Sequence, residues 1–154
     1  MTTLILAFFI GVIGGLRAMT APAAVSWAAR LGWLHLESTW LAFLGFVATP
    51  YVFSALAIGE LITDQLPSTP SRKVPVQFGT RIFVGALCGA ALGAASDALI
   101  GGLLAGVLGA IAGTLGGYEF RSRVVKAIGG NDLPIALLED AIAIGGALLV
   151  ISRV

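Results

Sequence analysis

Residues Ala98–Tyr118 read ALIGGLLAGVLGAIAGTLGGY, an apolar run without one charged side chain. The hydrocarbon layer of a bilayer is about 30 Å thick, so roughly 20 apolar residues in a helix cross it. This stretch meets that length, and others resemble it. Ser38–Gly59 is also free of charge and runs on through Glu60, Leu61 and Ile62. Phe78–Ser96 has only Arg81 near its start, and Leu133–Ser152 holds Glu139 and Asp140 in an otherwise apolar run. All four read as spans. The whole chain agrees: of 154 residues 58% are hydrophobic and 11% charged, where soluble domains average about a quarter charged. Mean hydropathy is +0.99. That composition excludes an ordinary soluble enzyme, and a formal charge of +1 offers no nucleic-acid-binding surface. One cysteine, Cys88, excludes an internal disulfide and a cysteine-built metal site. The chain reads as one integral membrane domain, residues 1–154.

The N-terminal stretch departs from this pattern. Leu4–Leu16 is apolar, but Gly14-Gly15-Leu16-Arg17 and then Thr20-Ala21-Pro22 follow, and glycine and proline so close together predict a broken helix. Residues 3–31 form either one kinked span with Arg17 near its middle or two half-helices that enter and leave on one side. A cleaved signal peptide fits less well, because residues 1–16 hold no Lys or Arg for a basic leader. The expected fold is an all-α polytopic bundle of four to five transmembrane helices with a broken or re-entrant N-terminal element.

Basic residues set the orientation. Arg72, Lys73 and Arg81 flank one connection and Arg121, Arg123 and Lys126 the next but one, whereas the opposite side has only Arg30 and Arg153. The positive-inside rule puts the 67–77 and 119–132 loops in the cytoplasm of a bacterial inner membrane, with Val154 outside. Trp27, Trp33 and Trp40 then form an external aromatic belt. His35 has no second histidine or nearby cysteine, so it reads as a surface residue.

Gly102, Gly106, Gly109, Gly113 and Gly116 line one face of the fourth span at helical period, and Gly85, Gly89 and Gly93 line the third. Small residues let two backbones approach, the main route to helix association in lipid. These faces pack on each other or on a second subunit. So few spans enclose little alone, and a homo-oligomer is the expected way to make a pathway.

An ionisable residue inside a span costs on the order of 2.5–3.5 kcal/mol and calls for a partner, a cavity or a function. Arg17, Glu60, Asp64, Glu139 and Asp140 are in that position. Glu60 and Asp64, four apart, share a helical face; Asp140 points about 100° from Glu139, so the pair cannot both face one neighbour. Their plainest role is snorkelling and structural pairing, with Glu139 meeting Arg17 or Arg81 and Asp132 capping the last helix. Their functional role is a cytoplasmic-side cluster. In it Arg17, Thr20, Arg72 and Arg81 bind an anionic group while Glu60, Asp64, Glu139 and Asp140 take a proton or cation. The proline-rich segment 67–75 is a stiff connector that brings Arg72 near, with phosphate binding a further option. No ligand spacing favours a particular metal, so no cofactor is expected beyond an optional divalent cation.

Gly15-Leu16-Arg17-Ala18-Met19-Thr20-Ala21-Pro22, Glu60 to Arg72, Gly117-Tyr118 with Arg121, and Glu139-Asp140-Ala141 occur in that order. Taken together the chain resembles the small bacterial membrane proteins grouped as domain of unknown function 4126. The resemblance implies an integral inner-membrane protein marked by these polar positions, and no activity. The residues themselves point first to transport of an anionic or phosphate-bearing solute or lipid head group, coupled to protons or a cation. A metal-dependent enzyme acting on lipid phosphates and a non-catalytic assembly subunit are the alternatives, with membrane lipid and further copies of the chain as partners. Three elements before the 67–77 loop and three after it, each half with an early arginine and later carboxylates, also suggest an inverted repeat.

Overall fold

The computed structural model describes residues 1–64, 74–130 and 132–154. Among these residues every regular element is helical: α1 (Thr2–Leu16), α2 (Thr20–Arg30), a 3₁₀ turn (Trp40–Gly45), α3 (Thr49–Thr63), α4 (Pro75–Ala94), α5 (Leu99–Ala127) and α6 (Leu133–Ile151). Helices α4, α5 and α6 are long and apolar enough to cross a membrane, which marks a membrane protein. Helices α1 and α3 have 15 residues each, a length of about 22 Å at 1.5 Å per residue.

The helices keep the sequence pattern with two changes. Residues 38–59, expected as one span, divide into the 3₁₀ turn and α3, because Pro50 has no N–H to give the Phe46 carbonyl and instead occupies the first turn of a new helix. The segment 119–132, expected as a loop, is helical as far as Ala127. There Gly129 takes a φ of +83°, and the Gly130 N–H reaches back to the Val125 carbonyl at 2.9 Å. This left-handed close ends the helix where glycine meets no steric penalty.

Helices α1, α4 and α5 form the central layer, and glycine decides their spacing. On α5, Gly102 and Gly106 lie against Gly85, Gly89 and Gly93 of α4, whereas Gly109 and Gly113 lie against the Phe8–Val12 backbone of α1. A Cβ at Gly106 would come within 2.9 Å of Gly89 Cα. The glycine row of α5 therefore serves two neighbours within one chain, and its last member, Gly116, faces open space. Helix α2 packs most on α3 and the 3₁₀ turn and also meets α6, α4 and α1, while α6 packs on α1 and α2. Cys88 of α4 is a buried core residue.

Arg17 lies at a helix break, yet α4 runs unbroken through Arg81. The two arginines thus occupy different local structures, and the expected repeat does not extend to its arginines.

Candidate functional site

Helix α1 stops where Arg17 turns extended, at φ −138° and ψ 107°. Its last intrahelical bond is Arg17 N–H to the Ile13 carbonyl, and the first bond of the next helix is Ala23 N–H to the Met19 carbonyl. Continuing through this point would set the Pro22 ring against the Ala18 carbonyl, so the chain breaks instead. The break leaves carbonyls without donors on one side and N–H groups without acceptors on the other, with partial negative and positive charge respectively.

Side chains from three other helices satisfy both ends. On the carbonyl side, Arg81 Nη1 donates to the carbonyls of Gly15 and Leu16 at 2.9 and 2.8 Å. The Thr114 hydroxyl lies 3.2 Å from the Gly15 carbonyl and 2.7 Å from that of Ala110. On the other side, Ala18 N–H donates to Glu60 Oε1 at 2.8 Å and Met19 N–H to Glu60 Oε2 at 2.7 Å. A cation caps the C-terminus of α1 and an anion caps the N-terminus of α2, the signs the two helix ends favour.

Around the break the charges converge. Arg17, wholly buried, pairs through Nη1 with Asp64 Oδ2 and through Nη2 with Asp140 Oδ1. Arg81 Nη2 lies 3.5 Å from Glu60 Oε1 and 4.0 Å from Asp64 Oδ2. Two guanidiniums and three carboxylates thus meet, one negative charge in excess among the described residues. Thr20 Oγ1 and Arg17 Nε are buried there without a hydrogen-bond partner among those residues.

Glu139 has a different arginine partner. Its carboxylate is 3.5 Å from Arg121 Nη1, and Arg121 also holds Asp132 through Nε at 2.8 Å. The geometry separates Glu139 from its neighbour Asp140, as a 100° step around a helix requires, and gives it Arg121 in place of Arg17 or Arg81. Asp132, expected as a helix cap, makes no side-chain cap bond and turns to Arg121 instead. Glu119 pairs with Arg123 at 2.9 Å.

Of the residues singled out from sequence, the structure brings together Arg17, Thr20, Arg81, Glu60, Asp64 and Asp140; Arg72 lies outside the described residues. Sequence reasoning missed Thr114, whose hydroxyl sits in a glycine row and carries no charge to draw notice. Among the described residues no three His, Cys, Asp or Glu side chains group as metal ligands would. His35 is exposed, as are Trp33 and Trp40, while Trp27 donates to Ser54 Oγ at 3.0 Å and packs edge-on to Tyr51. No family model matches the chain, and no curated protein or solved structure is significantly similar to it.

Proposed function

We propose that this protein is a small transporter or channel-like protein of the bacterial inner membrane, moving an anionic or phosphate-bearing solute or lipid head group with proton or cation coupling. The observation that carries the reading is the buried cluster at the α1–α2 break. Two guanidiniums are of the kind that oxyanions take, and the carboxylates they now hold are the groups a solute anion would exchange with. Among the described residues the third carboxylate leaves an excess negative charge, and in a water-poor interior a proton or cation offsets such a charge. Arg17, Arg81 and Thr20, with Arg72 from the adjoining loop, serve as anion contacts; Glu60, Asp64 and Asp140 serve as coupling groups, with Glu139 a second site beside Arg121.

In this reading α1 with α2, and the 3₁₀ turn with α3, add to the three long helices to give four to five crossings, with the 67–77 and 119–132 segments cytoplasmic. Several copies together complete the pathway, and the chain belongs with the small bacterial membrane proteins it resembles. A second reading, a non-catalytic assembly subunit, has one observation in its favour: every charged side chain of the cluster faces an opposite charge. Enzymatic use of the carboxylates as metal ligands has less behind it, since each carboxylate is drawn to a guanidinium or to backbone N–H groups.

Purified protein in vesicles loaded with a pH-sensitive dye separates these readings. Gradients of phosphate, glycerol phosphate and small carboxylates are expected to drive proton movement through the wild type. Asp140→Asn, which removes one carboxylate charge from the cluster while keeping shape, is expected to abolish that coupling. Equal proton-linked flux in Asp140→Asn, or no flux in the wild type for any of these anions, overturns the transport reading.

A further inference from the structure

The Glu60 carboxylate is held as a free oxyanion would be. Its two oxygens each accept one N–H from the start of α2, and a guanidinium lies 3.5 Å from Oε1. Helix N-termini and arginine forks are the usual binders of carboxylate and phosphate groups. Two further polar atoms, on the residues that flank Ala18 and Met19 in the chain, Arg17 Nε and Thr20 Oγ1, are buried without a hydrogen-bond partner among the described residues. A single carboxylate leaves them unused, whereas a ligand with more oxygens has acceptors for both.

The element that delivers Glu60 is weakly held. Pro50 is the one buried residue of α3, and Tyr51, Val52, Leu56, Ile58 and Ile62 are all exposed. The helix packs on α2 and the 3₁₀ turn, and its link to the arginines runs through Glu60 and Asp64 at its C-terminal end. Among the described residues Glu60 and Asp64 supply two of the three negative charges that face Arg17 and Arg81, so withdrawing both shifts the local balance by two charges toward positive.

We propose that the α1–α2 break, with Arg17, Arg81 and Thr20, is an oxyanion-binding site, and that the Glu60 carboxylate is its built-in occupant, displaced with α3 when a carboxylate or phosphate group enters. The ligand class is a small oxyanion, free or as a lipid phosphate head group. This rests on the transport reading for its purpose, although the site is tested by binding alone.

Trp27 supplies the readout, because its ring and N–H both contact α3, at Tyr51 and Ser54. In a Trp33→Phe, Trp40→Phe background it is the only indole left of the three. Sodium formate and inorganic phosphate are titrated against sodium chloride at equal ionic strength, and nanodiscs containing phosphatidic acid are compared with phosphatidylcholine alone. Glu60→Ala is expected to melt at lower temperature and to be restored by formate. Its formate affinity, read from Trp27 emission, is expected to exceed the wild type's by on the order of tenfold, the size of an ordinary coupling between two competing occupants. Adding Arg81→Ala abolishes the response. Should Glu60→Ala not fold, Glu60→Gln, which keeps one acceptor and loses the charge, is expected to show a smaller gain over wild type. Response to phosphate or formate identifies a soluble ligand, and response to phosphatidic acid alone a lipid one. Formate and phosphate acting no differently from chloride on Glu60→Ala, or equal formate affinity in Glu60→Gln and wild type, overturns the proposal. Binding without flux sinks only the transport reading; flux without binding sinks only this site.

Discussion

Arg17 is a fully buried cation whose two terminal nitrogens are committed to carboxylates from two different helices, Asp64 at the end of α3 and Asp140 on α6. A buried ion pair adds little net stability over an apolar replacement of both partners, because desolvation offsets the attraction, but removing one partner strands the others. Arg17→Ala is therefore expected to lower stability by about 3–5 kcal/mol, read as a fall in the thermal midpoint in detergent by circular dichroism. Exchanging it for lysine is not conservative either: one ammonium has no fork to span two carboxylates. Neighbours on one helix have separate fates by the same logic, since Asp140 faces Arg17 while Glu139 faces Arg121.

At the scale of elements, glycine governs the central layer and its near absence of side chains governs the distance between helices. Gly106 meets the α4 backbone closely, whereas Gly116, on the same row, meets nothing. Gly106→Ala is expected to destabilise the bundle by forcing α4 and α5 apart. Gly116→Ala is expected to be neutral or mildly stabilising, as alanine is the better helix former. Thermal unfolding of the two variants in one detergent checks the contrast, and equal losses would contradict the packing described. Helix α3 is the opposite case. It buries only Pro50 fully and packs on the core through Phe53 and on Trp27 through Tyr51, so the Glu60 and Asp64 carboxylates supply much of the hold at its C-terminal end, and local displacement of such an element costs less than opening the glycine-packed layer.

For the whole molecule, the proposed topology sets two exposed segments on opposite sides of the membrane. One bears the arginine-rich end of α5, with Arg123 largely exposed; the other bears Glu37 and the exposed Trp33 and Trp40. Single cysteines at Glu37 and Arg123 test the proposed orientation, and Cys88, fully buried, need not be replaced. A membrane-impermeant maleimide is expected to label Glu37→Cys on intact spheroplasts and Arg123→Cys only after permeabilisation. The reverse pattern would invert the topology.

The apolar runs, the glycine rows and the helix break near Arg17 were legible in the sequence because each rests on a local rule: length against bilayer thickness, spacing against helical period, proline against its own i−4 carbonyl. The same rules misjudged residues 38–59, where apolar content concealed the stop that Pro50 imposes, and the end of α5, whose polar residues read as a loop although they continue the helix to Ala127. Sequence likewise marked Glu60, Asp64, Glu139 and Asp140 as carboxylates in need of partners, since charge in an apolar run is costly wherever it lands. Which partner each obtained was a tertiary matter. Glu60 and the backbone N–H groups it caps lie more than forty positions apart in the chain, and no periodicity links them. Only the packing of α3 and α4 against the open ends of α1 and α2 decided that the break would be closed by charges, and so become a site.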